Sequence, residues 1–284
     1  EVGLGAKIAV GAEEAKGDVL AFLEDDDLFL QGKLSRVYEV FKRDGKIGYY
    51  HNEMTFFYID KNEEIKKESE ARKRILLKFD KYFRDGLLIK EIDFWKKIPI
   101  ISMSFFGFNN SSISVRKDVI LSFSKVYRSS ESNHAIDFLH FPLSLELGYL
   151  AAMDKKVLTI YRVHSSSTMM KKYENFKEYI RREIDVKEKQ IKNLSLPLSL
   201  YKLTNAEKFL TSFKLYMELV KYTYEDVLGL KTNSRRLSSI IFLFRNDRSF
   251  IYSHNLLFFY ILTLLPSSLK RMMLKHYFER LFSV

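Results

Sequence analysis

The sequence predicts an α/β chain, a mixed sheet with flanking helices, followed by an all-helical C-terminal extension. Short β-branched and aromatic runs alternate with helical periodicity over roughly the first 170 residues. After about Met170 the pattern is helical only, broken at Pro197, Gly229 and Pro266. With 46% hydrophobic and 15% aromatic residues, the 284-residue chain can bury a sizeable core, which argues against disorder.

Taken in order, Ala6 to Lys16 reads as an Ala-rich helix stopped by Gly17, and Val19 to Leu23 as a short buried strand. Leu34, Val37, Tyr38 and Phe41 fall at i, i+3, i+4 and i+7, which predicts an amphipathic helix ending at Asp44-Gly45. Ile47 to Tyr50 and Met54 to Ile59 read as two strands, and residues 61–98 as a loop-and-helix insertion. Phe108 to Val115 reads as a strand entering a helix at Arg116-Lys117-Asp118. Ala135 to Tyr149 reads as a helix despite Pro142, and Lys156 to Tyr161 as a strand. Helices are then expected at Tyr173 to Leu194, Ala206 to Tyr224, Ser238 to Arg245, Phe250 to Leu265 and Leu269 to Phe282. Two parts result, 1–170 and 171–284.

The chain has no cysteine, which excludes a disulfide scaffold and thiolate metal sites, so a metal would need oxygen or histidine ligands. The start shows no secretory signal pattern, and the apolar run Leu256 to Leu265 is about half the length a spanning helix needs. A cytoplasmic setting is expected. The net charge of +11 is uneven: Lys231 to Val284 holds nine Lys and Arg against two acids. Such a basic, aromatic-rich tail points to anionic lipid or nucleic acid.

The stretch AFLEDDDLF places Glu24, Asp25, Asp26 and Asp27 directly after an apolar strand. Four adjacent carboxylates repel one another unless a cation or a cluster of donors stands among them. Mg²⁺ and Mn²⁺ take oxygen ligands, and their sites combine one or two carboxylates with substrate phosphates. In open α/β sheets, ligands bind beyond the carboxyl ends of the strands, where this cluster falls. The other reading is a solvated acidic turn that caps the next helix.

The segment GLGAKIAVGAEEAKGDVLAFLEDDDLFLQGKL, Gly3 to Leu34, resembles the middle of an inverting family 2 glycosyltransferase with the GT-A fold. Its Gly-containing loop, Ala-rich helix, A-x-G-D turn, hydrophobic strand, acidic motif and Lys-Leu helix start come in the family's order. The first acid of the usual Asp-x-Asp motif falls on Glu24. The resemblance implies an incomplete GT-A sheet, since the family's base-reading βαβ unit lies upstream of the matched stretch and the sequence begins within the pattern. It also implies Mg²⁺ or Mn²⁺ on Asp26 with Glu24 and Asp27, and a nucleotide-diphosphate sugar approached by Asp25.

A second match is LTIYRVHSSST, whose Tyr-Arg-x-His tract implies Arg162 and His164 near the diphosphate or its metal. An inverting transfer needs a carboxylate base, and the family's position for it corresponds to Asp137, with Glu131 as the alternative and Glu146 behind them. The tract FGFNNSSISVRKDVI resembles the family's acceptor side, implying Asn109, Asn110, Ser111 and Ser112 as sugar contacts; the same residues also suit a turn. His51, His134, His140 and Trp95 receive no role.

The implied activity is metal-dependent sugar transfer to a glycan or lipid-linked acceptor, with no nucleic acid partner expected. The tail then suits the cytoplasmic face of a membrane, or else a packed cap or dimer interface. Two competitors are a same-fold nucleotidyltransferase, against which the YRVH tract argues, and a non-catalytic membrane-associated scaffold derived from a truncated transferase.

Overall fold

The computed structural model describes residues 3–58, 63–65, 79–96, 107–129, 134–164, 175–230, 261–262 and 264–282. Helix α1 (Leu4–Glu14) leads into β1 (Val19–Ala21), β2 (Leu28–Phe29), α2 (Lys33–Arg43), β3 (Ile47–Tyr58) and β4 (Glu63–Ile65). Next come β5 (Leu87–Lys90), α3 (Ile92–Trp95), β6 (Ile113–Arg116), α4 (Lys117–Ser122), α5 (Ser124–Ser129) and α6 (Ile136–Glu146). The last strand is β7 (Leu150–Val163), followed by α7 (Phe176–Leu200), α8 (Glu207–Val227) and α9 (Ser267–Phe282). This is the mixed α/β sheet with flanking helices and helical C-terminal part that the sequence predicts.

The strands form one sheet in the order β1-β6-β3-β7-β2, with β4 on β3 and β5 on β7. Its centre is the long parallel pair β3 and β7, and the other pairings are antiparallel. The two expected strands around 47–59 are a single strand. Its register against β7 shifts at Asn52, Glu53 and Met54, so the polar break between the apolar runs is an irregularity within β3 and not a turn.

Alternation along β3 sends Tyr49 and Tyr50 to opposite faces. Tyr49 joins Trp95, Ile113, Phe141 and Leu143 beneath α1 and α4–α6, while Tyr50 packs with Val37, Val40 and Phe41 of α2. Burying a side chain of this size contributes about 1.5–3 kcal/mol. The larger core continues into the helical part through Leu194, Phe209, Leu210 and Phe213, and Phe213 stacks on Phe138 of α6 at 4.1 Å. A smaller core joins α7, α8 and α9 through Ile180, Val220, Tyr224 and Leu274.

Several expectations are corrected. Helix α2 forms, but it buries Lys33, Val37, Val40 and Phe41, leaving Leu34 and Tyr38 exposed. The stretch before β6 is a 3₁₀ turn over Asn110–Ser112, and the strand starts only at Ile113. Strand β7 begins at Leu150, because the small residues Ala151 and Ala152 pack flat and fully buried where a loop was expected. Part of the 61–98 insertion is strand β5, paired with β7. Helix α7 runs through Pro197 to Leu200. Glu131, residues 231–260 and the serines after His164 lie outside the described residues.

Candidate active site

The acidic loop leaves β1 at the end expected to carry chemistry, and a turn closes it: the Asp27 N–H donates to the Glu24 carbonyl at 3.1 Å. Glu24, Asp26 and Asp27 each offer a carboxylate oxygen, and the three lie within 4.8 Å of one another. Asp25 is exposed and stands outside this group of three. Asp27 is buried, with Oδ1 accepting from the Arg162 N–H at 3.2 Å and Oδ2 without a hydrogen-bond partner among the described residues. Burial raises the pKa of Asp27, against the nearby Ser111 hydroxyl and the Arg162 N–H, which favour the ionised form. Burial also pushes Glu24 up to about 7, opposed by a hydrogen bond from Asn110 and reinforced by Asp137, Asp27 and Asp26.

The end of β7 closes on this loop. His164 Nε2 donates to Asp26 Oδ2 at 3.2 Å. The Arg162 guanidinium donates to the Asp26 carbonyl and, at 3.2 Å, to the Asp25 carbonyl. Arg162 thus grips the backbone of the acidic loop, and the sequence-expected tract and cluster do meet.

The loop before β6 forms the floor. Asn109 holds the strained combination φ 67°, ψ 107°, and its N–H donates to Asp137 Oδ2 at 3.1 Å. Phe138 donates to Asp137 Oδ1 at 2.9 Å. Ala135, at the start of α6, also has positive φ, so backbone strain brackets Asp137 on both sides. Gly107 allows this approach, because a Cβ there would lie 2.8 Å from Cα of Phe138. Burial raises Asp137 to about 6, with both N–H donors opposing the rise.

Asn110 and Ser111 turn toward the acidic loop. Asn110 Nδ2 donates to Glu24 Oε1 at 3.1 Å, and the Glu24 N–H donates to Ser111 Oγ at 2.9 Å. Ser111 and Ser112 are completely buried beneath the site. Glu146 lies elsewhere, accepting from the N–H groups of Thr204, Asn205 and Ala206 ahead of α8.

Two buried groups escaped the sequence reading. Lys33 is 1% exposed, donating to Asn52 Oδ1 and, at 3.4 Å, to the Ser111 carbonyl, with the rings of Phe29 and Tyr50 about its amine. Burial lowers its pKa to about 7, although Asp154 opposes that shift. A lysine at the first position of an amphipathic helix reads as solvent-facing, and only the unfilled i−4 place before Val37 pointed inward. His140 stacks on Phe22 and is held neutral by burial, its pKa near 3. Its Nε2–H donates to Asn110 Oδ1 and its Nδ1 accepts from Tyr127, so Tyr127, His140, Asn110 and Glu24 form one chain of hydrogen bonds. The spacing of the tracts gave no signal for it.

A cavity of about 1740 Å³ gathers Glu24, Asp25, Asp26, Asn109, Asn110 and Asp137 on one side and residues of α7 and α8 on the other. It exceeds the roughly 300–1,000 Å³ of a single small-molecule site. Among the described residues no helix is long and apolar enough to cross a membrane. A comparison with curated proteins gives no match. The model of the family described as Glycosyl transferase family 2 matches residues 1–113, a stretch that holds the acidic loop and the 109–112 turn but ends before Asp137, Arg162 and His164. The motifs of Gly3 to Leu34 that carry the resemblance to this family lie within the matched stretch, which covers less than half of the chain.

Proposed function

We propose that the protein transfers a sugar from a nucleotide-diphosphate donor to a glycan or lipid-linked acceptor, with inversion and with Mg²⁺ or Mn²⁺. One observation carries this reading: three carboxylates cluster within 4.8 Å, two of them, Glu24 and Asp26, line a cavity with a fourth, Asp137, and the cluster lies within the family-matched stretch. The donor set fits a hard divalent cation, being all oxygen and including the buried, unpartnered Asp27 Oδ2. Glu24, Asp26 and Asp27 would hold the ion. When bound, it supplies Lewis-acid neutralisation of a diphosphate leaving group.

The chain's own residues do the rest. Asp137 takes the proton of the acceptor hydroxyl while that oxygen bonds to the anomeric carbon. The bond from that carbon to the diphosphate oxygen breaks, and the diphosphate leaves with the electron pair. A base with a pKa near 6 is ionised at pH 7 yet still basic enough to accept the proton. Asn109 and Phe138 fix its two oxygens, and Arg162 fixes the loop opposite. Asn109 and Asn110 line the cavity, but their amides are engaged within the protein, with Ser111 and Met54 and with Glu24 and His140, so their part would be to hold the floor beneath a bound sugar. The nine cations of Lys231 to Val284 favour an anionic membrane surface as the place of work.

The test is nucleotide release from a panel of nucleotide sugars, followed with Mn²⁺ and with EDTA. Release that needs Mn²⁺ and disappears in Asp26→Ala supports the reading. Release unaffected by both sinks the metal assignment.

A further inference from the structure

His140 is a fully buried imidazole to which the transfer chemistry gives no part. It sits on α6, which is otherwise buried through apolar side chains such as Leu139, Phe141 and Leu143, so a polar ring among them needs polar partners. It has one on each nitrogen. Nε2 lies 3.0 Å from Asn110 Oδ1, and Nδ1 lies 2.9 Å from the hydroxyl of Tyr127, itself fully buried on α5. The ring of Phe22 stacks on the imidazole at 4.7 Å and covers its face.

The chemistry of the two ends fixes where each proton stands. An ionised Glu24 can only accept, so the Asn110 group that meets Glu24 Oε1 at 3.1 Å is the amide nitrogen. The amide oxygen then faces His140, and Nε2 must carry the ring proton. Burial keeps the imidazole neutral with that one proton, so Nδ1 is bare and accepts from Tyr127. From the other end the answer is the same, because the Tyr127 O–H has no second acceptor among the described residues. Donation therefore runs one way, from Tyr127 through His140 and Asn110 to Glu24. Of the four, Glu24 and Asn110 line the cavity, and Tyr127 and His140 stand behind them.

We propose that Tyr127 and His140 are positioning residues for the cation site: by holding the imidazole in its Nε2–H form, they keep the amide nitrogen of Asn110 toward Glu24 and that carboxylate in its place beside Asp26 and Asp27. The proposal rests on the transferase reading above and deepens it. In the other tautomer Nε2 would accept, the Asn110 amide would turn over, and its oxygen would meet Glu24 with no proton between two acceptors. Partners behind a metal ligand that fix its orientation are worth about 10- to 100-fold in metal affinity when they touch it directly, and less at each further bond.

The experiment uses the full chain with ¹⁵N-labelled histidine and reads two quantities. The ring ¹⁵N shifts of His140, assigned by their loss in His140→Gln, give the tautomer, and electron paramagnetic resonance gives the Mn²⁺ affinity. The parent is expected in the Nε2–H form, which tests the proposal without any variant. Tyr127→Phe keeps the ring and removes the donor to Nδ1; it should populate the Nδ1–H form and weaken Mn²⁺ binding about fivefold, the order of one neutral hydrogen bond. His140→Gln offers Asn110 an amide N–H that has no tautomer to choose. Adding Tyr127→Phe to His140→Gln should then change Mn²⁺ affinity by less than about twofold, whereas a packing role for Tyr127 would weaken both backgrounds alike. Circular dichroism checks that each variant is folded. The Nδ1–H form in the parent, an unchanged affinity in Tyr127→Phe, or the same loss in both backgrounds overturns the proposal and leaves the cation site standing. A parent that binds no Mn²⁺ removes the metal assignment of the transferase reading, and this inference with it.

Discussion

His164 Nε2 lies 3.2 Å from Asp26 Oδ2, tying the exit of β7 to the loop that leaves β1. Asp26 also lines the cavity, and it is the member of the cluster whose loss should be felt first. Asp26→Ala is expected to lower Mn²⁺ affinity at least tenfold. Because Asp26 is only half-buried, the urea midpoint should move little. Titration of parent and variant with Mn²⁺, followed by paramagnetic resonance, and a urea melt of each check both halves of the statement.

The stability of the metal-free protein should carry a trough near neutral pH. Glu24 rises from 4.5 to about 7 and Asp137 from 3.8 to about 6. Raised acids stabilise the fold below their unfolded values, and that contribution is lost as pH climbs through about 6 to 7. Lys33 falls from 10.5 to about 7, so its contribution is present above pH 10.5 and lost as pH drops through about 7. The two slopes meet near pH 7. Melting temperatures from pH 5 to 9 should show the dip, Mn²⁺ should fill it, and Glu24→Gln should flatten its acid side. A profile that rises steadily from pH 5 to 7 would contradict the assignment of these groups.

Asp137→Asn should reduce transfer about 10²- to 10⁴-fold, the usual contribution of a general base, while nucleotide and Mn²⁺ binding survive. The amide keeps one acceptor oxygen for either the Asn109 or the Phe138 N–H. A rate unchanged by the substitution would remove Asp137 from the chemistry.

How far the sequence announced this site differs by residue. Glu24 to Asp27 were legible because four acids directly after an apolar run are energetically conspicuous, even though the strand itself is only half-buried. Arg162 and His164 were legible because a strand delivers them as a tract. The meeting of the two was implied by resemblance, and the hydrogen bonds of Arg162 to the Asp25 and Asp26 carbonyls are its physical form. Lys33 received no role because charge patterning treats lysine as solvated, whereas its amine sits by the rings of Phe29 and Tyr50 and reaches Asn52 and Ser111. Ser111 and Ser112 were implied as sugar contacts by the resemblance, with turn residues as the other reading, and it is the turn that forms. Their burial follows from the 3₁₀ turn, which rolls them under the acidic loop.

Lys33→Met should therefore cost stability as well as order in the loop. Removing the amine leaves the buried Asn52 Oδ1 without its lysine donor, a loss of about 1–3 kcal/mol. Relief of a desolvated charge offsets part of it, so the net destabilisation should lie toward the lower figure. Urea unfolding at pH 7 measures it, and a variant more stable than the parent would show that desolvation outweighs the hydrogen bonds.

The hydrogen bonds around the acidic loop also set when it can exist. Asn110 and Ser111 are 86 and 87 residues downstream of Glu24, and Arg162 and His164 bond to the loop across 135 to 138 residues. At the ribosome, adding about 5–20 residues per second, the four carboxylates would wait roughly 7 to 28 seconds for their last supports. Throughout that interval they are a hydrated, self-repelling string with no shape to offer a cation. A nascent chain halted before His164 would carry every acid of the cluster and still lack the clasp that closes it.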